Sequence, residues 1–203
     1  MRKFWRSLTI FTHPPPDNMA ETPSSRILPI SSRAPEFELP DAQGRMHALD
    51  DVRGPHGLMV MFVCNHCPYV VHLAPALAGF AKELEGQGIG VAAINSNDTG
   101  RYPADAPDKM IEFAVMHAWD FPYLVDADQS VARAYSAACT PDFYLFNGEL
   151  KLAYCGQYDS SRPNNKEPVN GADMHEAVRR MLADEPPMET QRSSTGCGIK
   201  WKS

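Results

Sequence analysis

The pattern of apolar and polar positions along this chain predicts an alternation of strands and helices. Residues 57–63 form a continuous apolar run, which is typical of a strand buried on both faces. Residues 68–85 then carry apolar side chains at helical spacing, and a short apolar run at 90–95 predicts a second buried strand. The same reasoning predicts, in chain order, a helix, a short strand and two further helices near 107–117, 121–125, 128–135 and 173–182.

Two β-hairpins are expected in addition to this α/β pattern. Apolar and polar side chains alternate on both sides of a turn at 41–44, which predicts a hairpin over 34–49. Residues 143–146 and 150–154 flank Asn147-Gly148, a dipeptide that strongly favours a tight hairpin turn. Strands that alternate with helices form a parallel sheet, and the late hairpin adds antiparallel strands. The predicted fold is therefore α/β, with a central mixed sheet, helices on both faces and an N-terminal hairpin extension.

Both ends of the chain lack this periodicity. Residues 1–32 are rich in Pro and Ser and are predicted to be a flexible leader, before a domain at 33–185. The basic start is followed by an apolar stretch shorter than the roughly 7 residues of a signal-peptide core. We therefore expect a cytoplasmic location, with Met19 as an alternative start. Residues 186–203 are predicted to be a tail that carries Cys197.

Composition narrows the functional classes. The chain has 203 residues, 43% of them apolar, and a formal net charge of −6, which argues against nucleic acid or an anionic membrane surface as a partner. No apolar run approaches the roughly 18 residues that a membrane span needs. Five cysteines form an odd and sparse set, which argues against a disulfide-stabilised scaffold and favours catalytic or metal-binding thiols.

Cys64-Asn65-His66-Cys67 lies at the junction between a predicted strand and a predicted helix. Unpaired N–H groups and the helix dipole lower the pKa of a thiol at such a position, and the spacing allows a disulfide. We expect Cys64 at the exposed cap as the attacking thiolate, and Cys67, one turn into the helix, as the resolving thiol. A protonated His66 would stabilise the Cys64 thiolate and make the couple more oxidising.

Several segments together resemble a known family. The Cys-x-x-Cys segment after a buried strand, combined with Thr140-Pro141 before the strand at 143–146, resembles the thioredoxin fold, a three-layer α/β/α architecture. Ala34-Pro-Glu-Phe-Glu-Leu-Pro-Asp41 and the hairpin that follows resemble the AhpC/TSA (peroxiredoxin-like) and TlpA-like branch. A closer resemblance, covering residues 34–202, is to a group of bacterial thioredoxin-family proteins, and it rests on the segments 62–69, 139–143 and 196–201.

The resemblance implies a function and a set of site residues. Pro141 would be cis and face Cys64 and Cys67, and the backbone of Thr140 would pair with an extended partner or substrate. The implied activity is thiol–disulfide exchange with protein or small-molecule disulfides, in cell redox homeostasis. Thioredoxin-type or glutathione-type donors would supply the reducing equivalents, and no bound organic cofactor is expected.

Peroxidase chemistry is the first alternative. Peroxiredoxins carry Pro-x-x-x-Thr/Ser-x-x-Cys, and Cys67 occupies the position of their reactive cysteine. In this chain Cys64 replaces the Thr/Ser and Val60 replaces the Pro. Both departures weaken the activation of peroxide, although a slow antioxidant activity through Cys64 stays open.

The remaining thiols leave further alternatives. If Cys139 lies near the pair, as the resemblance implies, then Cys64, Cys67, Cys139 and His66 offer ligands for Cu(I) or zinc in a non-enzymatic protein. The Cys-x-x-Cys spacing fits a disulfide better, and no second pair at zinc-site spacing follows. Cys139 is otherwise a buried filler or a third redox thiol. Cys197, in the predicted tail, is either inert or a relay thiol that swings to the site.

Overall fold

The structure, a computed structural model, describes residues 21–203. Within this range the strands are β1 (Glu21–Pro23), β2 (Glu38–Pro40), β3 (Met46–Ala48), β4 (Gly57–Phe62), β5 (Ile89–Asn95), β6 (Tyr123–Val125), β7 (Cys139–Thr140), β8 (Asp142–Asn147), β9 (Leu152–Gly156) and β10 (Thr195–Gly198). The α-helices are α1 (Leu49–Val52), α2 (Pro68–Gly86), α3 (Pro107–Met116), α4 (Ser130–Ala134) and α5 (Ala172–Leu182), with a 3₁₀ turn at Pro103–Asp105.

The central sheet is mixed, as the sequence predicts. β4 pairs antiparallel with β8, which pairs antiparallel with β9 around the turn at Asn147. β5 pairs parallel with β6 and lies beside β4, where the Val63 N–H donates to the Ile94 carbonyl at 3.0 Å. The loops after β4 and β5 therefore emerge close together at one end of the sheet.

Side chains of β4 alternate between two buried cores. Met59 and Met61 belong to a core that includes apolar residues of α2, α3 and α5. Leu58 and Val60 belong to a second core with residues of α1 and α4. Burial on both faces explains the continuous apolar run in this strand, and it gives the predicted three-layer α/β/α arrangement.

The N-terminal hairpin and the long helix also agree with the sequence. β2 and β3 pair antiparallel, with Glu38 opposite Ala48. α2 begins at Pro68, where proline suits the first helical position because its N–H would be unpaired anyway. Among the described residues, no helix is both long and apolar enough to cross a membrane.

The prediction of a flexible leader and an unstructured tail is partly wrong, because both segments contribute a strand to a second, small sheet. β1 pairs antiparallel with β10, which pairs antiparallel with β7. Residues 21–23 of the predicted leader and 195–198 of the predicted tail are therefore strands. Runs of three or four residues that include Gly or Pro carry no periodic signal, so the sequence did not reveal them. Residues 1–20, including Met19, lie outside the described residues.

Candidate active site

Three cysteine sulfurs meet at the N-terminus of α2. Cys67 is the N-cap residue of this helix. Its Sγ lies 3.0 Å from Sγ of Cys197 in β10, and both Cys67 and Cys64 contact Thr140. Cys64 and Cys67 are completely buried, and Cys197 is 2% exposed. Cys67 is therefore the central sulfur of this three-thiol cluster (Cys64, Cys67 and Cys197).

The predicted positions of the first two thiols were wrong. Cys64 was expected at an exposed helix cap and Cys67 one turn inside the helix. In the structure Cys67 is the cap, and Cys64 lies buried ahead of the helix. The reason is Pro68, whose fixed φ and missing N–H suit the first helical position, so that the helix begins after Cys67.

Thr140 and Pro141 lie beside the cluster. The Thr140–Pro141 peptide is cis, as the resemblance implied. The Thr140 hydroxyl lies 3.4 Å from Sγ of Cys64, and the Thr140 carbonyl accepts a hydrogen bond from the Cys67 thiol at 3.0 Å. The backbone of Thr140, which was expected to pair with an extended partner, pairs with Cys197 of β10 instead.

Asp105, at the end of the 3₁₀ turn, is a completely buried carboxylate. Its Oδ2 lies 2.7 Å from Nδ1 of His66 and accepts a hydrogen bond from Asn97 Nδ2 at 2.9 Å. Its Oδ1 accepts the backbone N–H of Asn65 at 2.8 Å. The backbone N–H of Asn65, which lies ahead of α2, is therefore bonded to Asp105 and does not stabilise a thiolate. No motif indicated this role, since the residue reaches the site from the loop after β5.

His66 is held on its other side by an aromatic ring. It stacks on Tyr102, with ring centroids 5.5 Å apart and planes 7° from parallel. Its Nε2 is buried and has no hydrogen-bond partner among residues 21–203.

Cys64, His66 and Asp105 bring possible metal ligands within 4.8 Å of one another. However, Nδ1 of His66 and Oδ2 of Asp105 already bond to each other. Within this group the atoms left are His66 Nε2 and Cys64 Sγ, so a metal with more ligands would also need the sulfurs of Cys67 and Cys197, and the soft-metal alternative stays a prediction. Cys139, proposed from sequence as another sulfur ligand, donates its thiol to the Pro141 carbonyl at 3.6 Å.

The negative charge of the reduced cluster is best accommodated at Cys67. Burial opposes its ionisation, but hydrogen bonds with Cys197 and then Cys64 outweigh burial and lower the pKa of Cys67 to about 2. Burial, the hydrogen bond with Cys67 and the charge of Asp105 raise the pKa of Cys64 well above its usual value. The hydrogen bond to Cys67, followed by burial, raises the pKa of Cys197. A negative charge in the cluster is therefore favoured at Cys67, and the sequence-based role of Cys64 as the attacking thiol stays a prediction.

The other two cysteines have the properties of structural thiols. Burial raises the pKa of Cys139, and it raises the pKa of Cys155 to about 12. Both side chains are buried, and Cys155 packs in the core on the α1 and α4 face of the sheet. Both shifts favour the protonated thiol at neutral pH.

The Cys-x-x-Cys pair follows a central strand of a three-layer α/β/α fold and adjoins a cis-proline. These features together define a thioredoxin-like redox protein. The chain belongs to the AhpC/TSA family, whose model matches residues 30–155. Two more distant solved structures, each 18% identical to this chain, have the same fold.

Known proteins similar to this chain support the same class. The crystal structure of an uncharacterized conserved protein from Geobacillus kaustophilus is 43% identical, with a TM-score of 0.87, and the match covers 91% of this chain and 98% of that one. Thiol-disulfide oxidoreductase ResA of Geobacillus thermodenitrificans is 28% identical over 130 residues, 63% of this chain and 70% of that protein. A Mycobacterium tuberculosis protein named as a peroxiredoxin is 28% identical over 116 residues, 57% of this chain and 68% of that protein.

Proposed function

We propose that this protein is a thiol–disulfide oxidoreductase in which Cys64 and Cys67 form a reversible dithiol/disulfide couple. The observation that carries the proposal is the convergence of both sulfurs on Thr140 of the cis Thr140–Pro141 peptide, with Cys64 Sγ 3.4 Å from its hydroxyl and Cys67 Sγ 3.0 Å from its carbonyl oxygen. Two cysteines at this spacing, with their sulfurs against one residue, are able to close a disulfide without a large backbone movement.

Cys64 is the thiol that attacks a partner disulfide in this proposal. Cys67 is enclosed by Cys64, Thr140 and Cys197, whereas Cys64 precedes the half-buried residues Asn65 and His66. Transfer of a proton from the Cys64 thiol to Cys67 moves the thiolate from Cys67 to Cys64.

The exchange then proceeds in two balanced steps. The Cys64 thiolate attacks one sulfur of the partner disulfide, and the other partner sulfur leaves as a thiolate. Cys67 gives up its proton and attacks Cys64 Sγ, which releases the second partner sulfur and leaves a Cys64–Cys67 disulfide. The oxidised protein is returned to the dithiol by the reverse reaction with a donor thiol.

The partner class follows from this chemistry. The names of the ResA relatives support disulfides or thiols as substrates. Thioredoxin-type or glutathione-type donors and a cytoplasmic location belong to the same proposal.

Thiol trapping after redox titration tests the couple. Trypsin releases residues 54–82 as one peptide that contains both Cys64 and Cys67. We expect a reversible disulfide inside this peptide in the wild type and in the control Cys155→Ser. We expect none in Cys64→Ser or Cys67→Ser, together with loss of turnover on a small aromatic disulfide. Absence of the internal disulfide from both the wild type and Cys197→Ser at every potential would overturn the proposal.

A thiol peroxidase is the second candidate, and one specific observation favours it. The lowered pKa of Cys67 is found at the position that corresponds to the reactive cysteine of peroxiredoxins. A relative named as a peroxiredoxin supports the same reading. Hydrogen peroxide followed by a sulfenic-acid probe separates the candidates. Fast labelling at Cys67 would support the peroxidase, and labelling no faster than in the denatured protein would remove it.

A further inference from the structure

Cys197 occupies a built position opposite the cis-proline peptide. In the pairing of β10 with β7 it lies directly opposite Thr140. Its Sγ is 3.0 Å from Sγ of Cys67. A disulfide bond is about 2.05 Å long, so the two sulfurs need to approach by only about 1 Å to bond.

Gly196 makes this close approach possible. A Cβ atom on Gly196 would overlap the Thr140 carbonyl oxygen and lie 3.2 Å from Cδ of Pro141. On its other edge β10 is covered by β1, where Glu21 lies opposite Cys197. Glycine before the cysteine and a strand on each side hold the Cys197 thiol against Cys67.

We propose that Cys197 is a third redox residue, which competes with Cys64 for Cys67, so that the oxidised protein exchanges between a Cys64–Cys67 and a Cys67–Cys197 disulfide. This inference rests on the proposed function, because the first disulfide is the product of that reaction. It replaces the sequence-based view of Cys197 as an inert thiol or a relay that must swing in from a tail.

The exchange is an isomerisation and needs no further oxidant. The Cys197 thiol loses its proton, and its thiolate attacks Sγ of Cys67 in the Cys64–Cys67 disulfide. The Cys67–Cys197 bond forms, the Cys64–Cys67 bond breaks, and Cys64 leaves as a thiolate that takes up a proton. The number of disulfides and the oxidation state of the protein are unchanged.

The electrostatics of the cluster favour this step once the first disulfide exists. The hydrogen bond to Cys67 is the main reason why the pKa of Cys197 is raised in the reduced protein. Cys67 carries no charge when it is in a disulfide, so it no longer raises the pKa of Cys197. The product leaves Cys64 free to react with a further partner while the protein is still oxidised.

Disulfide mapping of the wild-type protein tests the inference directly. The protein is equilibrated in a dithiothreitol redox buffer, quenched with acid, alkylated and digested with trypsin. Cys197 is released in the peptide 193–200, separately from the peptide 54–82 that holds Cys64 and Cys67. We expect two oxidised species, one with the disulfide inside 54–82 and one with 54–82 bonded to 193–200 and an alkyl group on Cys64.

Cysteine variants assign the bonds. Cys197→Ser should retain only the internal disulfide. Cys64→Ser should form only the Cys67–Cys197 bond, and Cys67→Ser should form neither. Cys155→Ser should match the wild type, since Cys155 lies in the other core.

The outcomes separate this inference from the proposed function. An internal disulfide in the wild type, with Cys197 alkylated at every potential and Cys64→Ser left fully reduced, would overturn the inference and leave the proposed function intact. Absence of the internal disulfide from both the wild type and Cys197→Ser would overturn the proposed function instead.

Discussion

Nδ1 of His66 lies 2.7 Å from Oδ2 of Asp105, and this pair joins the loop ahead of α2 to the loop after β5. The same carboxylate accepts the backbone N–H of Asn65. Its buried charge opposes a second anion nearby and contributes to the raised pKa of Cys64. Asp105 therefore favours a thiolate on Cys67 rather than on Cys64.

Asp105→Asn should make Cys64 a faster nucleophile. Removing the buried charge lowers the pKa of Cys64. Because this thiol is mostly protonated at neutral pH, each pKa unit raises its thiolate fraction about tenfold. The lower basicity of the thiolate offsets part of this gain, so we expect alkylation of Cys64 to become about threefold faster for each pKa unit. Alkylation rates of Cys64 against pH, in the folded, reduced protein, measure both the rate and the pKa.

Asp108→Asn is the matched control for that substitution, since Asp108 is exposed in the first turn of α3. Its Cys64 alkylation rate should equal that of the wild type. An alkylation rate of Cys64 in Asp105→Asn that is also unchanged, in a protein that unfolds at the wild-type temperature, would contradict the assigned role of Asp105.

Cys197→Ser should raise the pKa of Cys67. The hydrogen bond with Cys197 is the largest of the effects that lower this pKa, and a hydroxyl at a different length and angle replaces it poorly. The ultraviolet absorbance of the thiolate in the reduced wild type should persist well below pH 7. In Cys197→Ser it should disappear at a higher pH, and in Cys67→Ser it should be absent at neutral pH.

Cys155→Ser serves as the control for this titration, because burial keeps the Cys155 thiol protonated, with its pKa raised to about 12. Its thiolate absorbance should follow that of the wild type. Identical titrations of the wild type and Cys197→Ser would show that Cys197 does not stabilise the anion.

The sequence was sufficient to predict the sheet and the principal helix because their signals are local. The continuous apolar run at 57–63 and the Asn147-Gly148 turn predicted β4 and the late hairpin, and both are present. The helix predicted at 68–85 is α2, Pro68–Gly86. In each case burial or turn geometry depends on residues that are neighbours along the chain.

Two residues of the site could not be predicted this way. Asp105 reaches His66 from a separate loop, and its effect depends on complete burial, which local periodicity does not report. Cys197 lies in a short strand between glycines, and only its pairing with Thr140 brings it to Cys67. Both contacts come from tertiary packing across the sheet ends.

Gly196→Ala should loosen the three-thiol cluster without removing a thiol. The new methyl group overlaps the Thr140 carbonyl, so β10 must move away from β7. We expect the free energy of unfolding to fall by about 1–3 kcal/mol, the usual cost of overpacking. Cys197 and Cys67 should also react faster with an alkylating agent in the folded, reduced protein.

Gly79→Ala is the matched control, because a Cβ at Gly79 in α2 meets no atom of the described residues within 4 Å. It should be neutral or stabilising by up to about 1 kcal/mol, as expected for alanine in a helix. Alkylation rates in Gly196→Ala that equal those of the control would show that the close approach of β10 does not protect the cluster.

Asp142, directly after the cis-proline, should make the protein less stable as the pH rises toward 7. Burial raises its pKa to about 7, despite hydrogen bonds from the Tyr144 hydroxyl at 3.2 Å and the Ala138 N–H at 3.5 Å. An unfolded aspartate titrates near pH 3.9, so between these values the folded protein holds a proton that the unfolded chain has lost. The contribution of Asp142 to stability is therefore greatest below about pH 4, decreases up to about pH 7 and is constant above it.

Asp142→Asn should remove this dependence, because the amide is neutral at every pH and has nearly the same shape. The shift of about 3 pKa units corresponds to at most about 4 kcal/mol. Urea unfolding at pH 4, 6 and 8 should therefore show the variant gaining up to that amount relative to the wild type. Exposed Asp184→Asn should gain nothing. If Asp142→Asn and the wild type lose stability in parallel across this range, Asp142 is already ionised in the folded protein.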